Sequence, residues 1–409
     1  MEKDYPTLTQ KCMANETKNR ESVEVIVIGG NHQNAFGVLR ALGRKGINAD
    51  FILVSSKKKG SILRSRYINR SWAMEPEKIV DFLKNRENDR GERITIISCH
   101  DAVVELLERF HEELTGKYFL PGTESGALLE LMNKQTQTAK AEASGLTIPF
   151  SIELKGRVPE EVSDIPFPVI TKPGKSCEGT KDDIKIFNSP KELEDFLRKN
   201  NERSFQVQQF VDTDFEYQLI GASVNGGEEI VIPGVSHILR PYKGSNTEFL
   251  HYRNLTADFT SAVEATKRFL RNLKYSGLFS AEFLRGKDGK DYFLEVNFRN
   301  DGNTIAVTES GANLPYWWVT KTRGEKAEMP VMKRSVYLMP EHREITLWRK
   351  HVITTSEFIS DIRKADAFSK YAPDDKRPTF GKTFFYLKIA WGCIQRLFSG
   401  FSKKPFIKN

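Results

Sequence analysis

Apolar runs and helical stripes alternate along the first third of the chain. Val23 to Ile28 (VEVIVI) is nearly all apolar and ends at Gly29-Gly30, the pattern of a strand buried on both faces of a parallel sheet. Phe36 to Leu42 carries its apolar side chains at helical spacing, with Gly46 as its stop. Ala49 to Val54 and Ile94 to Ser98 read as further strands, and Glu75 to Lys84 and Ala102 to Leu114 as helices. Such alternation predicts an open parallel α/β domain over residues 23–120. Residues 1–22 are polar and aperiodic, and read as a disordered arm.

From Pro121 the texture changes, and a second domain is expected over residues 121–330. Ser125 to Ser144 is helical in pattern, contains Asn133-Lys134 and closes at Gly145. A short strand, Phe167 to Pro173, has Lys172 at its exit and leads into a polar loop, GKSCEGTKDD. A helix at Pro190 to Lys199, strands at Phe205 to Val211, Tyr217 to Val224 and Ile230 to Val235, and a helix at Thr260 to Leu273 follow. Residues 331–409 form an extension. Within it Phe384, Leu387, Trp391, Ile394 and Phe398 recur every three or four residues as one apolar stripe, with Lys382, Lys388 and Arg396 between them. Such a helix can dock on the protein's own core, or lie through 381–401 on an anionic membrane surface.

The densest chemistry lies in Ser276 to Gly302, SGLFSAEFLRGKDGKDYFLEVNFRNDG, which reads as a β-hairpin. With Asp288-Gly289 as a two-residue turn, Lys287 faces Lys290, Phe283 faces Leu294 and Glu282 faces Glu295. Two carboxylates directly opposite each other repel unless a cation lies between them. Asn297, two residues beyond Glu295, adds an oxygen on the same face. That set suits Mg²⁺ between carboxylates and phosphates; the alternative is a solvated strand face.

Composition narrows the classes. The four cysteines, Cys12, Cys99, Cys177 and Cys393, lack metal-ligand spacing and predict a reducing, cytoplasmic setting. No apolar run reaches transmembrane length. The net charge of +8 sits in Lys376 to Asn409, which has eight basic and no acidic residues, so the rest of the chain is neutral overall. That placement argues against a nucleic-acid partner for the whole protein. GGNHQNAFG lacks the spacing of a dinucleotide fingerprint, which disfavours a dinucleotide-dependent enzyme built on residues 23–120.

Taken in order, two lysines, an adenine-edge strand, a ribose-side glutamate and a terminal acid pair resemble the ATP-grasp superfamily of carboxylate–amine ligases over roughly residues 23–320. The resemblance implies a pre-ATP-grasp α/β domain, a two-subdomain grasp and a C-terminal helical extension. It implies that Lys134 and Lys172 approach the phosphates of ATP, that Gln208, Gln209, Phe210 and Val211 hold the adenine, and that Glu216 takes the ribose hydroxyls. Glu282, Glu295 and Asn297 would ligate Mg²⁺ or Mn²⁺, and Arg299 would steady the transferring phosphoryl group or acyl phosphate. The loop GKSCEGTKDD departs from the family's glycine-rich form, with Lys175, Lys181 or Lys185 to supply charge. Arg240, Lys243 and Arg253 of HILRPYKGSNTEFLHYR are candidate substrate contacts, and Arg240 a second acyl-phosphate ligand. Asp301 to Thr304 would continue the substrate wall.

The expected reaction is ATP-dependent amide or peptide bond formation through an acyl phosphate, from small-molecule carboxylate and amine substrates. Within the superfamily the build is most similar to D-aspartate ligase and related unassigned ligases, which implies an amino-acid acceptor in cell-envelope or glycan synthesis. A homodimer belongs to the same expectation. The rival reading is a non-catalytic nucleotide-binding module or sensor on the same fold.

Overall fold

Three sheets organise the chain. The structure, a computed structural model, describes residues 24–379 apart from 88–90, 124–125, 132, 156–164, 174–183 and 241–248. The N-terminal arm, Lys175, Lys181, Lys243 and the basic apolar stripe after residue 380 therefore lie outside the described residues. Among the described residues no helix is long and apolar enough to cross a membrane.

The first sheet is parallel throughout: β1 Val25–Gly29, β2 Ala49–Val54, β3 Ile68–Met74, β4 Ile94–Ser98 and β5 Tyr118–Phe119, in the order β3-β2-β1-β4-β5. Helices α1 Gln33–Gly43, α2 Ile79–Asn85, α3 Asp101–Arg109 and α4 His111–Leu114 are interleaved with its strands. Three strands match the sequence expectation. β3 (INRSWAM) escaped because an edge strand in contact with solvent need not be an apolar run. The order reverses between β1 and β4, so the loops after these two strands flank a crevice at their carboxyl ends. Gly29 is required there, since a Cβ on it would come within 2.8 Å of Cys99 Cβ in the loop after β4.

The expected helix from 125 to 144 is two, α5 Ala127–Leu131 and α6 Lys134–Ala143. Asn133 starts the second by accepting the N–H groups of Gln135 and Thr136 on its side chain. A small antiparallel sheet follows, ordered β6-β9-β7-β8: β6 Ser151–Lys155, β7 Val169–Pro173, β8 Ile186–Phe187 and, after α7 Pro190–Lys199, β9 Ser204–Gln209.

The large sheet runs β15-β14-β10-β12-β13-β16-β17, with β11 beside β10. Its strands are β10 Thr213–Val224, β11 Glu229–Val231, β12 Val235–Arg240, β13 Phe249–Arg253, β14 Gly277–Gly286, β15 Asp291–Asn297, β16 Val336–Met339 and β17 Ala367–Phe368. Helix α8 Thr260–Asn272 covers one face over Tyr217, Leu219, Ala281, Phe283 and Phe293. Beyond the hairpin come α9 Thr304–Glu309 and α10 Leu314–Thr322, whose Trp317 and Trp318 pack with Phe36 of α1 and Ile220 of β10. That shared core joins the large sheet to the first one. The segment after residue 330 was expected to extend past the core; it instead supplies β16 and β17 to the sheet, with α11 Glu341–Arg349 and α12 Thr355–Lys364 between them. It then runs back to the first sheet. There Asp375 receives Arg40 Nε at 3.2 Å, Ser65 Oγ at 2.8 Å and Arg66 N–H at 3.0 Å.

Candidate functional site

A cavity of about 490 Å³ opens between the first sheet and the large sheet. One wall is strand. Because side chains alternate, β10 turns Tyr217 and Leu219 to the α8 core and Glu216 and Gln218 to the cavity. Glu282 of β14 lies opposite Gln218, and Glu295 of β15 lies opposite Glu282, so a row of polar groups crosses three strands. Asn297 continues the wall, and Arg299 stands just past the strand end.

The glutamates face each other, but not by the expected path. The turn holds three residues, Lys287, Asp288 and Gly289, closed by the Gly286 N–H on Lys290 O at 2.9 Å; Gly289 has φ +79°, left-handed backbone that glycine adopts freely. Lys287 therefore does not face Lys290, and Phe283 pairs with Phe293 instead of Leu294. A bulge between Glu282 and Phe283 then absorbs one residue and returns Glu282 to Glu295.

Hydrogen bonds bind this wall together. Glu282 Oε1 accepts from Asn297 Nδ2 at 3.1 Å and from Gln218 Nε2 at 3.3 Å, while Asn303 Nδ2 donates to Gln218 Oε1 at 2.8 Å. Arg299, half-buried, donates through Nε to Asp101 at 2.6 Å, through Nη2 to Asn297 Oδ1 at 3.3 Å and through Nη1 to the Asn300 carbonyl at 3.4 Å. Burial works against its charge, and the Asp101 hydrogen bond more than restores it, so its pKa is raised. Desolvation also raises Glu216 above the ordinary carboxylate range.

Loops of the first sheet build the opposite wall, with Gly30, His32 and Asn34 after β1 and Cys99, His100 and Asp101 after β4. None of these residues was a site candidate on sequence. The reversal of strand order is the signal that names both loops, and it becomes readable only once the order is known. Asn300 ties the walls: its N–H donates to Ser98 O at 3.1 Å and its Nδ2 to Asn34 O at 2.8 Å. Burial pushes the Cys99 thiol up to about 12, so it is no nucleophile at neutral pH.

Other candidates fall elsewhere. Arg240 does not line the cavity. It is ion-paired with Glu344 of α11 and, at 2.8 Å, with Asp361 of α12, both buried, which makes it a clamp on the C-terminal segment. Gln208 and Gln209 end β9, with Phe210 and Val211 just beyond, outside the cavity lining. The N–H groups of Gln209 and Phe210 are taken by Phe150 O and Pro168 O at 2.8 Å, while Val211 N–H has no acceptor among the described residues. Lys134 opens α6 and Lys172 lies in β7 opposite Gln206; their side chains are outside the described part.

Among the described residues no cluster of three or more His, Cys, Asp or Glu is arranged to hold a metal unaided. Glu282 and Glu295 form a hard oxygen pair that suits Mg²⁺ or Mn²⁺, and Asn297, whose Nδ2 faces Glu282 and whose Oδ1 faces Arg299, would add its oxygen once that amide turns over. Amide N–H groups now sit on Glu282 Oε1, where a cation would be welcome.

Comparisons with known proteins point the same way. A family profile described as "ATP-grasp in the biosynthetic pathway with Ter operon" matches residues 248–344. A formate-dependent phosphoribosylglycinamide formyltransferase of Prochlorococcus marinus (strain MIT 9312) is 25% identical over 166 residues, 38% of this chain and 40% of that enzyme's length. Among solved structures, N5-carboxyaminoimidazole synthetase from Staphylococcus aureus matches with TM-score 0.63 at 13% identity, covering 81% of this chain and 87% of that one. The L-amino acid ligase from Bacillus licheniformis matches with TM-score 0.56 at 15% identity, covering 78% and 81%.

Proposed function

Taking the chain as an ATP-grasp enzyme of the carbon–nitrogen ligase kind, we propose that it activates a small carboxylate with ATP and joins it to an amine through an acyl phosphate. The observation that carries this reading is the pairing of Glu282 with Glu295 on a cavity wall that also holds Asn297, Arg299 and Glu216. Glu216, half-buried and poor in solvent, would accept a ribose hydroxyl. The N–H of Val211, without an acceptor among the described residues, would read an adenine edge. Lys134 and Lys172 would meet the phosphates.

Glu282, Glu295 and Asn297 would hold Mg²⁺ or Mn²⁺, which when bound neutralises phosphate charge and orients the terminal phosphoryl group. Arg299 makes three hydrogen bonds, two of them to groups that substrate oxygens can replace: exposed Asp101 and the Asn297 amide. It can therefore turn to the phosphoryl group or acyl phosphate without leaving a buried charge unpaired. Asn300 and Asn34, stapling the two walls, keep the carboxylate side and the phosphate side in one frame.

Finer points rest on the relatives. The L-amino acid ligase neighbour supports an amino acid as one substrate, and the profile's description supports a biosynthetic role. The test is ADP release with ATP and Mg²⁺ against a panel of amino acids, amines, formate and bicarbonate, with hydroxylamine added to trap an acyl phosphate as hydroxamate. ADP release that needs a carboxylate, with hydroxamate formed, is the expected result. No ADP release across the panel, or release without any carboxylate activation, would sink the reading.

A further inference from the structure

Asp301 is the carboxylate of the cavity that the steps above leave unused, beside the likewise unused His32 and His100. It follows Arg299 by two residues, lines the cavity and is 7% exposed. Its Oδ1 accepts the Asn303 N–H at 2.7 Å, and no donor among the described residues reaches Oδ2. Arg299 acts on it by charge, yet the guanidinium places its hydrogen bonds on Asp101, Asn297 and Asn300. His32 and Asp101 are the other charged or titratable side chains that act on it. Burial dominates, so its pKa is raised despite the Asn303 N–H, Arg299 and His32.

Contrast explains why this is a site. A buried carboxylate is ordinarily matched by a cation or by several donors. The turn into α9 uses only one oxygen of Asp301, and an asparagine would supply that oxygen equally well. The second oxygen is an acceptor held rigidly by the backbone, at the boundary between the wall of Arg299 and the wall of His32. Its negative charge draws an ammonium group, and its raised affinity for a proton makes it a better base near neutral pH than an exposed aspartate.

We propose that Asp301 is the general base that takes a proton from the attacking amine. This rests on the ligase reading above and adds the identity of the proton acceptor. The amine arrives as an ammonium and passes one proton to Asp301 Oδ2, which frees the nitrogen lone pair to form the N–C bond to the acyl phosphate carbon; the second proton, made acidic by that bond, goes to the departing phosphate. The C–O bond to the phosphoryl group then breaks, and phosphate leaves with that electron pair. The protonated carboxyl loses its proton to water through the open cavity. The amine substrate therefore enters from the side of the loops after β1 and β4, between His32 and Asp101.

Asp301→Asn tests this in the full chain, since asparagine keeps the acceptor for the Asn303 N–H. Wild type and D301N are given ATP, Mg²⁺ and the carboxylate most active in ADP release, with either an amino-acid amine or hydroxylamine as nucleophile. Hydroxylamine nitrogen is unprotonated at neutral pH and needs no base. We expect amide formation to fall about 10²-fold in D301N while hydroxamate formation stays within about threefold of wild type. Asp301→Glu, which retains a carboxylate, should keep amide formation within about tenfold of wild type. Equal loss with both nucleophiles, equal loss in D301E and D301N, or no loss at all overturns the role of Asp301. A wild type that releases no ADP in any combination overturns the ligase reading beneath it instead.

Discussion

Two buried aspartates, one on each side of the molecule, meet opposite fates. Asp50 opens β2 and is 1% exposed; Asp301 lines the cavity and is 7% exposed. At Asp50 the carboxylate takes Asn69 Nδ2 at 2.9 Å, Arg70 Nη2 at 2.9 Å and Arg86 Nη2 at 2.7 Å. Burial alone would raise its pKa, but the hydrogen bonds from Arg70 and Arg86 reverse the direction and lower it. Asp301, also buried, has one backbone donor, and its pKa goes up. A buried carboxylate is thus a structural anchor where cations surround it, and a reactive group where they are turned elsewhere.

Substitutions that separate stability from turnover will break or sharpen this contrast. The largest effect is expected at the acid pair: Glu295→Gln should lower ADP release by about 10³-fold with an unchanged urea midpoint. A comparable loss of stability would move Glu295 to the anchoring class. Next comes Asp50→Ala, which leaves nearly buried Arg86 short of a partner and should cost about 4 kcal/mol in urea unfolding, with ADP release per folded molecule retained. Arg240→Ala should follow at about 3 kcal/mol, because Glu344 and Asp361 lose their shared cation. Retained turnover in that variant would set Arg240 apart from Arg299.

The smallest effect is one of pH. Asp50, with its pKa lowered by folding, stabilises the fold above the unfolded carboxylate pKa and loses that contribution as pH falls through its folded value. Asp301, with its pKa raised, penalises the fold at neutral pH and is relieved as it protonates. The unfolding free energy of D301N should therefore exceed that of wild type at pH 7, by on the order of 1 kcal/mol, and converge with it toward pH 4. A constant gap would mean that Asp301 is not charged in the native state.

Much of the fold was legible because its signals are local. Val25–Gly29, Ala49–Val54 and Ile94–Ser98 are apolar runs that only a covered parallel sheet accommodates, and Pro190–Lys199 has its proline start written in the chain. The facing of Glu282 and Glu295 was legible for a partly mistaken reason: a three-residue turn and a bulge offset each other, and Asp-Gly signals more than one turn type. What escaped is non-local. Arg240 resembled a substrate ligand because Glu344 and Asp361, its partners, lie over 100 residues away. The wall of His32, His100 and Asp101 depends on which strand neighbours β1, and no pattern within either loop states that.

The return of the C-terminal segment to the first sheet has a consequence for synthesis. Arg40 is buried in α1, and its acidic partner, Asp375, is made 335 residues later. While the ribosome works through the interval, the first sheet carries Arg40 without its acid, and Ser65 and the Arg66 N–H without their acceptor. Domains usually settle in the order in which they emerge. Here the first to emerge is among the last to be completed, so the nascent chain depends on its own late residues to finish its beginning.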